Sequence, residues 1–135
     1  MENQTEYQIS SSMNDGILEI IITGNAIGSV FKNMSNELNA IIKANNAKKL
    51  IIDACALKGR LDTSEIYRYV RNHHSITYEL EVAIVDLPEN ADYATAVKNA
   101  GLLFRWFTDI DAARNWIKRK PSKIQSIMTL LSFNQ

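Results

Sequence analysis

Short apolar runs alternate along the chain with stretches of helical periodicity, and this order predicts an α/β fold. The first two extended segments flank Asp15-Gly16, a pair that strongly indicates a β-hairpin. The β-branched runs Lys49–Asp53 and Glu81–Val85 have the composition of buried strands in a parallel sheet. We expect these two runs and Phe104–Phe107 to be neighbouring interior strands. The predicted strands cover residues 7–11, 16–23, 49–53, 81–85 and 104–107.

Apolar side chains recur at helical spacing between these strands. In the first helix the predicted buried stripe is Val30, Met34, Leu38, Ile41 and Ile42. The second helix begins near Asp62, after a predicted loop at 54–61, and directs Ile66, Tyr67 and Val70 inward. The remaining predicted helices cover 91–100 and 109–118. Strands that alternate with helices in this way favour a five-stranded, mostly parallel sheet with an N-terminal hairpin, four helices and a C-terminal tail.

The length of 135 residues fits a single domain with a substantial core. We predict a flexible N-terminus at 1–6, the folded domain at 7–119 and an apolar tail at 120–135. Fifteen basic and fifteen acidic residues cancel, so no overall charge favours nucleic acid as a partner. The lone Cys55 excludes an internal disulfide and fits a reducing cytoplasm. The predicted location is therefore cytoplasmic, with peripheral membrane contact left open.

Three stretches carry a resemblance to a known family: KLIIDACALKGRLDTSEIY from Lys49, EVAIVDLPEN from Glu81, and FRWFTDIDAARNWI from Phe104. Together with the element order, they resemble STAS-like domains, in particular SpoIIAA-like proteins and anti-sigma-factor antagonists. The resemblance implies a fold related to CRAL-TRIO lipid-transfer domains. It also implies a non-enzymatic regulatory module that acts through protein–protein interaction.

The start of the second helix is the first candidate site. Anti-sigma-factor antagonists carry Asp-Ser-Ser-Gly there and are phosphorylated on the first Ser; the matching residues are Asp62, Thr63, Ser64 and Glu65. The resemblance thus implies a phospho-switch and partner surface. A phosphate at a first helical turn would also meet free N–H groups and the positive end of the helix dipole. Asp62 and Glu65 fit a plain helix cap as well, and both interpretations stay open.

Two further sites are predicted. The candidates to line a pocket for an apolar small molecule or lipid are Tyr67, Tyr69, Trp106, Phe107 and Trp116, although aromatic residues at such spacings also fill ordinary cores. The basic residues of the tail region form a candidate patch for anionic lipid. The apolar positions after Pro121 suit equally well packing on the domain or a homodimer contact. The basic patch consists of Lys118, Arg119, Lys120 and Lys123.

No pattern in the chain predicts an enzyme, a metal site or a cofactor. Adjacent His73 and His74 would point about 100° apart on a helix, so they do not converge on one ion. Cys55 is expected to be a small buried residue rather than a nucleophile. Acids do follow strand ends at Asp53, Asp86 and Asp109, but such acids are also common caps and loop residues. The leading hypothesis is a module that binds an unidentified protein partner, and the alternative is a binder or sensor of an apolar molecule.

Overall fold

A computed structural model of the chain describes residues 6–73 and 80–119. Within them five strands form one sheet in the order β1-β2-β3-β4-β5, accompanied by four α-helices and a short 3-10 turn at Pro88–Asn90. The predicted tail at 120–135 and most of the predicted N-terminal segment lie outside the described residues. The strands are β1 (Tyr7–Asn14), β2 (Ile17–Asn25), β3 (Lys49–Gly59), β4 (Glu81–Val85) and β5 (Arg105–Phe107). The helices are α1 (Ser29–Ala44), α2 (Thr63–His73), α3 (Ala91–Asn99) and α4 (Ile110–Lys118).

The opening hairpin forms where Asp-Gly predicted it. Asp15 and Gly16 have φ values of 53° and 79°, as a two-residue type I′ turn requires, and β1 pairs antiparallel with β2. The other three pairings, β2 with β3, β3 with β4 and β4 with β5, are parallel. The predicted α/β architecture is confirmed.

Strand β3 is much longer than predicted. The segment 54–61 was expected to be a loop, but β3 runs to Gly59 beside the equally extended β2. The register advances by two residues in β2 (Ile21 to Thr23) while β3 advances by three (Asp53 to Ala56), which is a β-bulge. The bulge breaks the alternation of side chains, and this irregularity made the segment look like a loop.

Strand β5 was expected to lie inside the sheet, and that expectation is wrong for the described residues. It has only three residues and pairs with β4 alone, through Ala83 with Arg105, Ile84 with Trp106 and Val85 with Phe107. No other described strand lies beyond it. Trp106 and Phe107 are adjacent in this strand, so their side chains point to opposite faces of the sheet.

The sheet separates two apolar clusters. Helix α4 packs on β3, β4 and β5 and encloses one cluster, composed of Ile17, Ile51, Ala83, Val85, Ala113 and Ile117. Helices α1, α2 and α3 contribute to the larger cluster on the opposite face, with Leu18, Ile20, Leu50 and Val82 as its central strand residues. The described residues therefore form three layers: one helix, the sheet, and three helices.

The predicted helix faces are largely correct, with two differences. In α1 the buried residues are Phe31 and Met34, whereas Val30 is half-buried. In α2 Ile66 is buried as predicted, but Tyr67 is 38% exposed and points outward. The aromatic residue that packs inward is Tyr69, whose ring lies edge-on to Phe31 with centroids 5.0 Å apart.

Candidate ligand cavity and partner surface

A cavity of about 440 Å³ lies between the sheet and helices α1, α2 and α3. Met34, Leu38 and Ile42 of α1 line one side, and Leu50 and Val82 line the sheet side. This volume falls within the range of small-molecule pockets, which are mostly apolar with a few placed polar groups. The cavity is thus built like a ligand site.

One end of the cavity is polar, because Arg60 and Asp86 lie there. The two nitrogens Nη1 and Nη2 of Arg60 donate to the two carboxylate oxygens of Asp86 at 2.6 and 2.8 Å. Their side chains are only 9% and 4% exposed. Asp86 also accepts from the Leu87 backbone N–H at 2.8 Å and from the Asn90 side chain at 2.9 Å. The buried charges are therefore paired and hydrogen-bonded, as burial of an ion pair requires.

Arg60 also explains the length of β3. Beyond Asp53, β3 has lost its pairing with β4, which ends at Val85. The Arg60 guanidinium donates to the carbonyl oxygens of Ala54 at 2.8 Å and Leu57 at 3.2 Å. One side chain thus satisfies backbone acceptors that a neighbouring strand would otherwise have to pair.

Two aromatic side chains complete the polar end. The Tyr93 ring lies 5.1 Å from the Arg60 guanidinium carbon. Burial raises the pKa of Tyr93 to about 12, so its phenol keeps its proton at neutral pH. Trp106 lines the same cavity, and its Nε1 is buried with no hydrogen-bond partner among the described residues.

The five predicted pocket aromatics do not all surround one space. Tyr69 and Trp106 line the cavity, but Tyr67 lies on the outer surface of α2. Phe107 and Trp116 pack against each other on the α4 face, with ring centroids 5.8 Å apart. The structure separates these residues because adjacent positions on β5 face opposite sides of the sheet and because Tyr69, not Tyr67, points inward.

The start of α2 is a reciprocal helix cap. The Asp62 carboxylate accepts from the Glu65 backbone N–H at 2.8 Å, and the Glu65 carboxylate accepts from the Asp62 backbone N–H at 3.0 Å. This is a capping box with Asp in the first position. The capping interpretation of Asp62 and Glu65 is therefore confirmed, and both carboxylates are engaged.

Thr63 and Ser64 lie between those two acids, and both are exposed. They border an open cleft between α2 and α3, which we call the α2–α3 cleft. Its lining residues are Thr63, Ser64, Tyr67, Arg68, Ala96 and Asn99. The outward Tyr67 thus belongs to the same surface as the two hydroxyls.

The predicted basic patch is only partly described. Lys118 is exposed, whereas Arg119 is held by three contacts: its guanidinium lies 4.1 Å from the Trp116 ring, donates to the Trp116 carbonyl at 2.9 Å and meets Glu81 at 3.5 Å. Lys120 and Lys123 lie outside the described residues, as do His74 and the side chain of His73. The lipid patch stays a prediction.

The candidate catalytic groups each have a structural partner. Burial is the main cause that raises the pKa of Cys55 to about 11, so the thiol is protonated at neutral pH and is a poor nucleophile. Asp53 accepts from the Cys55 backbone N–H at 3.1 Å, and Asp109 caps α4 through the Ala112 N–H at 3.0 Å. Asp86 is bound to Arg60. Each of these acids therefore has a local structural role.

Two further findings concern residues 6–73 and 80–119. No three His, Cys, Asp or Glu side chains in these ranges come together where they would hold a metal ion. No helix in the same ranges is long and apolar enough to cross a membrane.

Solved structures with a similar fold include the following two. An anti-sigma factor antagonist from Mycobacterium paratuberculosis superposes with a TM-score of 0.63 at 14% identity, covering 84% of this chain and 96% of the other. An uncharacterized protein of the DUF3478 family from Shewanella loihica, with a SpoIIAA-like fold, gives a TM-score of 0.55 at 21% identity, covering 87% and 98%. No family model and no curated protein matches the chain. At these identities the likeness shows the fold, and the predicted STAS-like, SpoIIAA-like fold is confirmed.

Sequence reasoning missed the polar end of the cavity. Asp86 was considered only as an acid after a strand, and Arg60 was assigned no role. A weak signal exists in retrospect, because Arg60 follows Gly59 at the end of a largely apolar segment, where a charged side chain needs a partner. The pairing itself joins residues 26 positions apart, which no local pattern reveals.

Proposed function

We propose that the protein is a non-enzymatic regulatory module that binds a protein partner through the α2–α3 cleft. The observation that carries this proposal is the fold shared, over most of both chains, with a structure described as an anti-sigma factor antagonist. The exposed hydroxyls of Thr63 and Ser64 support it, because they border an open cleft in the part of the fold that resembles the antagonists' switch.

Added charge at this position is expected to regulate partner binding. A phosphate on Thr63 would lie between the Asp62 and Glu65 carboxylates, and their repulsion would oppose the favourable helix dipole. It would also place nearly two negative charges on the rim of the cleft. A docked partner would then face a changed surface charge without a change of fold.

Affinity capture from the source cell tests this proposal with three forms of the protein. We expect wild type and Thr108→Glu to capture the same partner, because Thr108 is exposed but lies after β5, away from the cleft. Thr63→Glu is expected to lose that partner. A Thr63→Glu variant that captures the same proteins as the Thr108→Glu control would contradict the role of the cleft.

The cavity favours a second candidate function, the binding of an apolar small molecule. Its 440 Å³ are lined mainly by apolar side chains of α1, α2, α3 and the sheet. An apolar ligand in a cavity of this size would gain many van der Waals contacts with these side chains. A ligand there would contact α2 through Ile66 and Val70 on the face opposite Tyr67, so both candidate functions involve the same helix.

Native mass spectrometry of the purified protein tests the second function. We expect a bound small molecule in wild type and in Ala112→Phe, which alters α4 on the other face of the sheet. Ala94→Phe would fill part of the cavity and should reduce the bound fraction. Wild-type protein that carries nothing, and that binds no added apolar compound, would contradict this candidate.

The membrane prediction for the tail is tested separately, by liposome flotation with and without residues 120–135.

A further inference from the structure

Trp106 contributes a polar group, its indole N–H, to the residues that line the cavity. Its indole N–H is buried, yet among the described residues it has no acceptor. Most buried donors in folded proteins are paired, because an unpaired one has lost its bond to water. We propose that the cavity takes an uncharged apolar molecule with one hydrogen-bond acceptor, of the ketone or ester class, whose oxygen accepts from Trp106. This inference rests on the second proposed function and specifies its ligand.

The location of Trp106 supports this assignment. It pairs in register with Ile84 on the cavity side of the sheet. Asp86 lies two residues after Ile84, just beyond the end of β4. Residues two apart along an extended chain project from the same face, roughly 7 Å from each other. The indole is thus on the cavity wall next to the polar end, while the apolar residues of α1 line the remainder.

The charges around the polar end favour a neutral ligand. The positive charge of Arg60 is already paired with both oxygens of Asp86. An anionic ligand group would approach the buried Asp86 carboxylate and lose its own hydration, and none of the described residues at that end offers an unpaired cation to compensate. A carbonyl or ester oxygen needs only a donor, and the Trp106 N–H is such a donor.

An anionic ligand would instead place its charge at the solvent-exposed rim. Lys43 and Asn46, near the end of α1, are exposed and border the cavity. A carboxylate at that rim would leave the Trp106 N–H facing the apolar part of the molecule. The two arrangements therefore predict different orders of affinity for matched ligands.

The chain has only two tryptophans, and they lie on opposite faces of the sheet, which makes a matched experiment possible. Trp116→Phe leaves Trp106 as the single indole reporter in the cavity. Trp106→Phe removes the proposed donor and leaves Trp116 as a reporter outside the cavity. The probes are propiophenone as the neutral acceptor, propylbenzene as its apolar counterpart, and 3-phenylpropanoate as the anion. Calorimetry gives the affinities, tryptophan emission gives the location, and circular dichroism verifies that both variants are folded.

In Trp116→Phe we expect propiophenone to bind about three- to tenfold more tightly than propylbenzene, the range of one hydrogen bond. Its binding should change the emission of Trp106. In Trp106→Phe the preference for the ketone should disappear, and the emission of Trp116 should stay unchanged.

Three results would overturn the inference, and they differ in what else they affect. Equal affinity for ketone and hydrocarbon in Trp116→Phe would refute the acceptor but leave an apolar ligand site intact. Tightest binding of 3-phenylpropanoate would refute the neutral ligand and favour the rim. Failure of all three probes to bind would refute this inference and the second proposed function together. The preference within Trp116→Phe is informative even if Trp106→Phe does not fold.

Discussion

The two faces of the sheet are built from similar apolar residues but are packed very differently. On the α4 face, small residues bring the helix close: Ala83 of β4 and Ala113 of α4 are both 0% exposed, as is Ile117. On the opposite face, Leu38, Ile42 and Val70 are only partly buried around the cavity. We infer that close packing on the α4 face contributes more to stability, while the opposite face encloses the cavity.

The ion pairs of the two faces differ in the opposite sense, because the pair on the tightly packed face is partly exposed and the pair on the cavity face is buried. On the tightly packed face, Arg114 and Glu19 form a two-point pair at 2.9 and 3.0 Å, with side chains 43% and 23% exposed. On the cavity face the Arg60–Asp86 pair is nearly inaccessible. Losing one partner of a buried ion pair is strongly destabilising, because the remaining charge is buried without compensation, whereas losing one partner of an exposed pair costs little.

The largest expected effect follows from that difference. Asp86→Ala would leave the Arg60 guanidinium buried without its counter-charge, so we expect the free energy of unfolding to fall by about 3–5 kcal/mol. Glu19→Ala is the matched control on the other face and should cost much less, because water solvates the released Arg114. Urea denaturation measures both. Similar losses in the two variants would mean that water reaches the polar end of the cavity more readily than the low exposure of Arg60 and Asp86 indicates.

The next prediction compares the same truncation on both faces. Ile117→Ala removes a fully buried side chain from close packing and should reduce the free energy of unfolding by about 3 kcal/mol. Ile42→Ala removes a half-buried side chain that already borders the cavity, so about 1 kcal/mol is expected. Chemical denaturation of the two variants decides the matter. If Ile42→Ala were as costly as Ile117→Ala, the contrast between the faces would be wrong.

The smallest predicted effect is a dependence on pH. The hydrogen bond from Arg114 is the main cause that holds the pKa of Glu19 below its usual value of 4.5. A carboxylate with a lowered folded-state pKa stabilises the protein above the unfolded-state pKa, and this contribution disappears as pH falls through the folded-state value. Arg114→Gln should therefore be less stable than wild type at pH 7, and the difference should shrink as pH falls below 4.5 and through the lowered folded-state pKa. A difference in urea midpoint that persists in acid would exclude this electrostatic origin.

The fold was predictable because its signals are local. Asp15-Gly16 indicated the hairpin, β-branched runs indicated β3 and β4, and the Asp62/Glu65 spacing indicated the cap. Each signal lies within a few residues of what it specifies. Local chemistry and tertiary structure agree at these positions, as they do in most of a foldable sequence.

The cavity and its polar end were not predictable, because they depend on how distant elements meet. The bulge in β3 decides which side chains of that strand face the helices, and Arg60 finds Asp86 only after the sheet has formed. Helical periodicity in α2 was interpreted with Tyr67 facing inward, whereas Tyr69 packs inward and Tyr67 is exposed. A cavity has no sequence signal of its own, since the apolar residue types that line it also form closely packed cores.

The bulge in β3 makes the number of residues in that segment as important as their identity. Ala54 and Leu57 both belong to the larger cluster although they are three apart, and Cys55 belongs to the other one. Deleting a single residue between them would restore strict alternation and keep Leu57 on the face of Ala54, whereas losing the bulge at unchanged length would exchange the environments of Leu57 and Lys58. Homologous chains that lack one residue here would thus need no bulge, and a length comparison would detect that divergence before any comparison of side chains.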